Sequence, residues 1–309
     1  SEVKNSIEAL NHHFIMQLFR AAISFYSCHN RRPKEGEVLL LDAVLKEVGG
    51  NLLQVKPLVA LWYYACQLTF NPLDLHLAEE LKYALLQHTG TIPPFDGYTF
   101  IVILNNGLVQ RLGHSRQKYL QERYDLYQIE IAEGWLAADG VIGNAIFNNI
   151  IIASLALGKI ADAEVFLEKY KENLLPGIRE EIILYNRARI AFAKNGFQES
   201  LRLAQRVNYL NHSIALGIKR IQMMCFIELN DLAQAQHIWN SMNMYIFRLE
   251  DAGKSLKVRN SQFLKVTKLL MKEGWVKKKE KYRDQIIEII AASPLMPEVE
   301  WIESRLKNL

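Results

Sequence analysis

Three passages decide how this chain folds: FNNIIIASLALGKIADAEVFLEKY (147–170), YNRARIAFAKNGFQESLRLAQRV (185–207) and RIQMMCFIELNDLAQAQHIWNSM (220–242). Each breaks at a turn-forming pair: Gly158-Lys159, Asn195-Gly196 and Asn230-Asp231. A bulky apolar residue follows each turn (Ile160, Phe197, Leu232), and a small one comes three residues later (Ala163, Ser200, Ala235). Four further on stand Leu167, Ala204 and Trp239, of which Ala204 is smaller than the pattern expects. The residues after the turns are 37 and 35 positions apart, the length of one helical hairpin in a repeat array. A lone hairpin buries one face and leaves the other wet; stacking neighbours covers it and, with a small rotation per unit, builds a superhelix with a concave surface. The expected fold class is therefore all-α, an α-solenoid of antiparallel helical hairpins.

Outward from this core the chain reads as one elongated helical domain over 1–309, with divergent N-terminal helices at 1–92, central hairpins at 93–242 and basic C-terminal capping helices at 243–309. At the N-terminal end, Ile7, Leu10, Phe14, Leu18, Ala21 and Phe25 recur at three and four and predict a helix over 5–30 with one apolar stripe. A second helix is expected over 37–48, stopped by Gly49-Gly50. Pro57 suits the first turn of a third, and Asn71-Pro72 separates it from a fourth over 73–87. The Thr89–Gly97 stretch is a linker. Residues 98–112 and 115–133 read as helices, although Tyr98–Ile103 is β-rich by propensity. Residues 242–257 are less regular. Helices over 256–273 and 277–292 follow, and a terminal helix, 297–306, places Val299, Ile302 and Leu306 against the last hairpin.

Half the residues are apolar and eight are proline, which excludes broad disorder. The charge is uneven. Residues 254–283 hold eleven Lys or Arg against Glu273 and Glu280, a local +9, so the remainder of this +4 chain carries −5. Cys28, Cys66 and Cys225 form no CxxC pair and are odd in number; they read as buried thiols of a reducing, cytoplasmic setting. No apolar run reaches bilayer length and no signal-peptide pattern opens the chain. Ser1 in place of Met is consistent with a processed product or a part of a longer protein.

The units at 143–242 resemble tetratricopeptide repeats. The likeness rests on Phe147, Gly158, Ala163 and Pro176 in the first. In the second it rests on Ala188, Ala191, Phe197 and Ser200, with Asn195-Gly196 moving the family's glycine by one position. In the third it rests on Ala235, with Asn230 in place of that glycine. Ile151 and Met223 stand where the family prefers small residues, and the units at 56–87 and 98–133 fit only as degenerate hairpins. The resemblance implies a right-handed superhelix acting as a protein-interaction scaffold, with polar residues of the first helices capturing a peptide.

On that reading Asn105, Asn148, Asn149, Arg187 and Lys219 are the candidate partner-binding residues. Arg187 and Lys219 would face a carboxylate-rich peptide. Arg187 and Arg189 point to different sides of their helix, and Lys219-Arg220 opens the equivalent helix of the third unit. Lys277, Lys278, Lys279, Lys281 and Arg283 form a basic surface. With Trp275 and Tyr282 as stacking partners it supports an alternative reading, an adaptor or regulator that contacts nucleic acid or a nucleic-acid complex.

An enzyme is not expected. His12-His13 are adjacent and diverge on a helix, His76 and Glu80 are four apart with no second ligand, and Glu130 and Glu133 read as exposed acids of a repeat surface. No metal motif, phosphate loop, dinucleotide fingerprint or nucleophile elbow is present, so no cofactor is expected.

Overall fold

The computed structural model describes residues 2–51, 55–111, 116–137, 139–208, 211–249, 254–272, 279–293 and 295–307. Among these residues the chain forms fifteen α-helices, two 3-10 turns and no strand. Contacts cluster into two compact units, 1–111 with 125–138, and 112–124 with 139–309. None of the described helices is long and apolar enough to cross a membrane.

The first unit contains α1 (Glu2–His29), α2 (Leu41–Gly50), α3 (Pro57–Phe70), α4 (Leu75–Gln87), α5 (Pro94–Arg111) and the second half of α6 (Arg116–Ala132). Helix α3 is its centre and packs against α1, α2, α4 and α5. The Trp62 and Phe100 rings meet edge to face at 4.9 Å. Gly97, in the first turn of α5, backs onto the Trp135 indole so closely that a Cβ would lie 2.2 Å from it. Just after α6, Trp135 and Leu136 are thus buried outside any helix.

Two expectations for this unit are corrected. Helix α1 buries Phe19 and Ala22, one position on from the predicted Leu18 and Ala21, while Ile7, Leu10 and Phe14 are exposed. A stripe fixes a helix but not which face meets a neighbour; here Phe19 meets the Tyr63 ring of α3 at 6.3 Å and sets the phase. Helix α2 starts at Leu41 instead of Glu37, because Glu37 takes both Arg31 nitrogens and the Lys34 amide and holds the preceding stretch in turns. Gly49-Gly50 lies inside α2, and Gly49 gives room to the Tyr63 hydroxyl, 2.7 Å from where a Cβ would stand.

In the second unit, helices pack as neighbouring pairs: α7 (Asn144–Ala156) with α8 (Ile160–Tyr170), α9 (Pro176–Ala193) with α10 (Phe197–Ala204), and α11 (His212–Glu228) with α12 (Leu232–Arg248). The three turns are built alike. Gly158, Asn195 and Asn230 all take the left-handed conformation, at φ 71, 60 and 58. In each, the next amide closes a six-residue loop at 2.9 Å: Lys159 to Ser154, Gly196 to Ala191, Asp231 to Phe226. This is the helix-ending geometry that Gly and Asn tolerate best. It shows that Asn195 itself, not Gly196, is the counterpart of Gly158. The small residues Ala163, Ser200 and Ala235 are fully buried where the paired helices cross, and the Ser200 hydroxyl donates to the Ala188 carbonyl at 2.8 Å.

First helices also pack on one another, α7 on α9 and α9 on α11. Gly217 of α11 meets Tyr185 of α9, where a Cβ would stand 2.4 Å from the phenol oxygen. Helix α12 runs through to Arg248, so the stretch after 242 is regular helix, with Phe247 exposed on it. Helices α13 (Lys254–Leu270), α14 (Lys279–Ala291) and α15 (Val299–Lys307) complete the unit.

A candidate interaction site on the first helices

Counting back ten residues from each left-handed turn residue gives Asn148, Tyr185 and Arg220. These are equivalent positions on α7, α9 and α11, and each carries a hydrogen-bonding group; those of Asn148 and Arg220 bond to a neighbouring helix. Asn186 of α9 donates to the Asn148 side-chain oxygen at 2.6 Å. The Tyr185 hydroxyl accepts from Arg189 one turn further along α9, at 3.3 Å. Arg220 reaches Asn260 of α13 at 2.8 Å. Arg189 lies six residues before its turn, and the offset of four from position ten keeps it on the same helical face.

Arg189 and Arg220 converge on one carboxylate, Glu298. Arg189 approaches both of its oxygens, at 3.1 and 3.2 Å, and Arg220 Nε approaches one at 3.1 Å. All three side chains are about nine-tenths buried. Burial alone would raise the Glu298 pKa, but the two guanidiniums outweigh it and hold the carboxyl well below the usual range. Glu298 immediately precedes α15 and adopts φ 60, in the left-handed region that costs a non-glycine residue on the order of 1–2 kcal/mol.

The rest of α15 lies along the same helices. Trp301 Nε1 donates to Glu228 of α11 at 2.6 Å, and Arg305 pairs with the same carboxylate at 2.8 Å. Glu300 pairs with Arg116 at 2.6 Å. Met296, Val299 and Ile302 are buried. A cavity of about 260 Å³ remains beside the segment, lined by Phe192, Asn195 and Phe197 on one side and Trp301, Ser304 and Arg305 on the other. The terminal helix therefore does more than cap the last hairpin. Its polar contacts reach back to α9 and α11.

Of the sequence-predicted residues, Asn148 belongs to the row of equivalent positions, and none joins the Glu298 cluster. Asn105 is buried in the first unit with both amide atoms unpartnered, so it cannot meet a partner from the surface. Asn148 is half-buried and engaged with Asn186, while Asn149 is exposed. Arg187 turns away to pair with Glu168 of α8 at 2.8 Å. Lys219 donates to Ser241 of α12 at 2.8 Å, and burial lowers its pKa. The structure brings together their neighbours, Arg189 and Arg220. The signal that finds these two is the register counted from the turns; residue type alone does not separate Arg187 from Arg189.

Lys277 and Lys278 lie outside the described residues, as does Trp275; Lys279 and Lys281 fall on α14, and Arg283 is exposed there. Tyr282 is not a free stacking platform: it is buried, with the Lys272 ammonium 5.3 Å from its ring centre.

Two further expectations are corrected. Cys28 is exposed, while Cys66 and Cys225 are buried, with burial raising their pKa values to about 12 and about 11. Glu130 is fully buried instead of exposed, both carboxyl oxygens lack partners, and burial raises its pKa to about 8. Its helix lies with that face in the first unit's interior, so Glu130 and the exposed Glu133 do not form a surface pair. His76 and Glu80 approach only to 3.9 Å on an exposed face, and no group of three metal-ligating side chains occurs among the described residues.

The architecture defines an all-helical protein of paired helices. Compared with known proteins, the chain matches no family model, no curated protein and no solved structure.

Proposed function

We propose that this chain is a non-enzymatic interaction scaffold: hairpins stacked in the manner of tetratricopeptide repeats, forming a right-handed superhelix whose first helices line a concave groove for a peptide or protein. The observation that carries this reading is the row at equivalent positions, Asn148, Tyr185 and Arg220. It supplies polar groups at regular steps along the helices that would form the inner wall. A repeat array serves recognition well because identical spacing presents a ladder of side chains to an elongated ligand.

The guanidiniums of Arg220 on that row and of Arg189 on the same helical face select for acid. Arg offers a planar fork that holds a carboxylate through two bonds, and inside a largely dry site such bonds are stronger than on open surface. The scaffold reading is tested by capturing partners with the intact chain and mapping cross-links on each captured protein. The expected cross-links fall on α7, α9 and α11. Cross-links confined to α8, α10 and α12 would place recognition on the opposite helices and overturn the groove.

A further inference from the structure

Helix α15 is short, nine residues, and an isolated helix of that length is marginal in water. Its order comes from what it lies on. The contacts divide into an acidic lead-in, Glu298 between Arg189 and Arg220; an apolar face, Val299, Ile302 and Leu306; and an indole, Trp301, anchored on Glu228. Together they make a complete recognition pattern, an amphipathic helix introduced by a carboxylate.

The fit is nevertheless unfinished. The 260 Å³ cavity lies directly between Trp301 and the α9–α10 turn. Arg189 Nε, on the receptor face, is buried without an acceptor. Two guanidiniums share one carboxylate, and Glu298 meets them only by holding a left-handed backbone. Each of these is a place where another helix could do better: a larger side chain in the cavity, a second acid for the surplus cation, and an unstrained lead-in.

We propose that the α9–α11 face is a receptor for an amphipathic helix led by an acidic residue in a partner protein, and that residues 295–307 are its resident occupant, released when that partner binds. The proposal rests on the scaffold reading and names the ligand class and the regulation of the same groove. The partner's chemistry follows from the seat: Glu or Asp just before the first turn, a second acid within the first turn, an aromatic residue about one turn along, where Trp301 now stands, and a side chain larger than serine where Ser304 borders the cavity. The resident segment sets a threshold. Only a helix that outcompetes a tethered rival gains entry, because tethering holds that rival at high effective concentration.

The test uses the full chain and a fluorescent synthetic peptide, LMPEVEWIESRLK, copied from residues 295–307. Peptide affinity is measured for the wild type and for Glu298→Ala, in which the resident segment loses its carboxylate. The expected result is at least tenfold tighter binding to the variant, with the peptide whose first Glu is replaced by Gln binding neither chain. Because Glu298→Ala leaves two buried cations and could destabilise the unit, amide exchange of the wild type is followed in parallel. Saturating peptide should increase exchange across 295–307, and the Gln peptide should not.

Equal affinities for both chains with unchanged exchange would overturn the proposal and make α15 a fixed structural element. Dimers of Glu298→Ala without peptide binding would overturn it in favour of tail exchange between copies. Either result leaves the cross-linking test of the groove standing, so the two readings fail separately.

Discussion

Glu130 shows how far one side chain can depart from what its type implies. In a helix rich in Arg, Glu, Gln and Asp it reads as solvated, yet it is fully buried with no hydrogen-bond partner. Water is replaced by low-dielectric surroundings that disfavour the charged form, so the folded carboxyl keeps its proton to about pH 8 whereas the unfolded one loses it near its ordinary value of 4.5. The folded state therefore binds the extra proton. The associated stability is complete below pH 4.5 and is lost as pH rises towards 8, by an amount on the order of a few kcal/mol. Glu130→Gln, which cannot ionise, should flatten this slope. Urea midpoints at pH 5 and pH 8.5 should fall by less in the variant than in the wild type, and equal falls would show that Glu130 is ionised in the fold. Nothing in the neighbouring sequence signals this burial, because it depends on which side of α6 the first unit covers.

At the scale of elements, the contact between α9 and α11 is set by a missing side chain. Gly217 admits the Tyr185 hydroxyl, and that hydroxyl in turn accepts from Arg189. Gly217→Ala should cost about 1–3 kcal/mol by overpacking, read from chemical denaturation. Adding Tyr185→Phe removes the nearest atom but leaves ring carbons 2.9 and 3.0 Å from the new Cβ, so it should recover only part of that loss; no recovery would mean that the helices separate as whole bodies. The hairpins themselves were legible because their determinants are local. A left-handed helix end wants Gly or Asn, and a close crossing wants Ala or Ser, so Gly158, Asn195, Asn230, Ala163, Ser200 and Ala235 announce themselves. The role of Glu298 was not legible. It sits 109 and 78 positions from Arg189 and Arg220, and a turn-by-turn reading has no means of pairing groups so distant. The exposed face of α1 failed for a related reason: periodicity gives a stripe, and only the neighbour decides its phase.

For the molecule as a whole, the second unit combines two kinds of contact. Helix packing joins mostly sequence neighbours, α7 to α8 and α9, α9 to α10 and α11, α12 to α13. Such a chain of nearest neighbours loosens readily in pieces. The exceptions are the bonds that bring α15 back to Arg116, Arg189, Arg220 and Glu228. They tie distant parts of the unit into one event. Glu298→Ala should therefore lower the cooperativity of unfolding as well as its midpoint. Denaturation followed by far-UV circular dichroism and by Trp fluorescence should coincide in the wild type and separate in the variant. Coincident curves in both would assign the cooperativity to the hairpins alone.

The turn between α9 and α10 also bears on the protein's chemical lifetime. An Asn-Gly pair ages in an open chain because the glycine nitrogen attacks the asparagine amide and expels ammonia. At Asn195-Gly196 that nitrogen is committed to the Ala191 carbonyl at 2.9 Å, and the helix end fixes the backbone around it. Deamidation must wait for the turn to open, so the slow gain of one mass unit at Asn195 becomes a clock that records how often this hairpin comes apart.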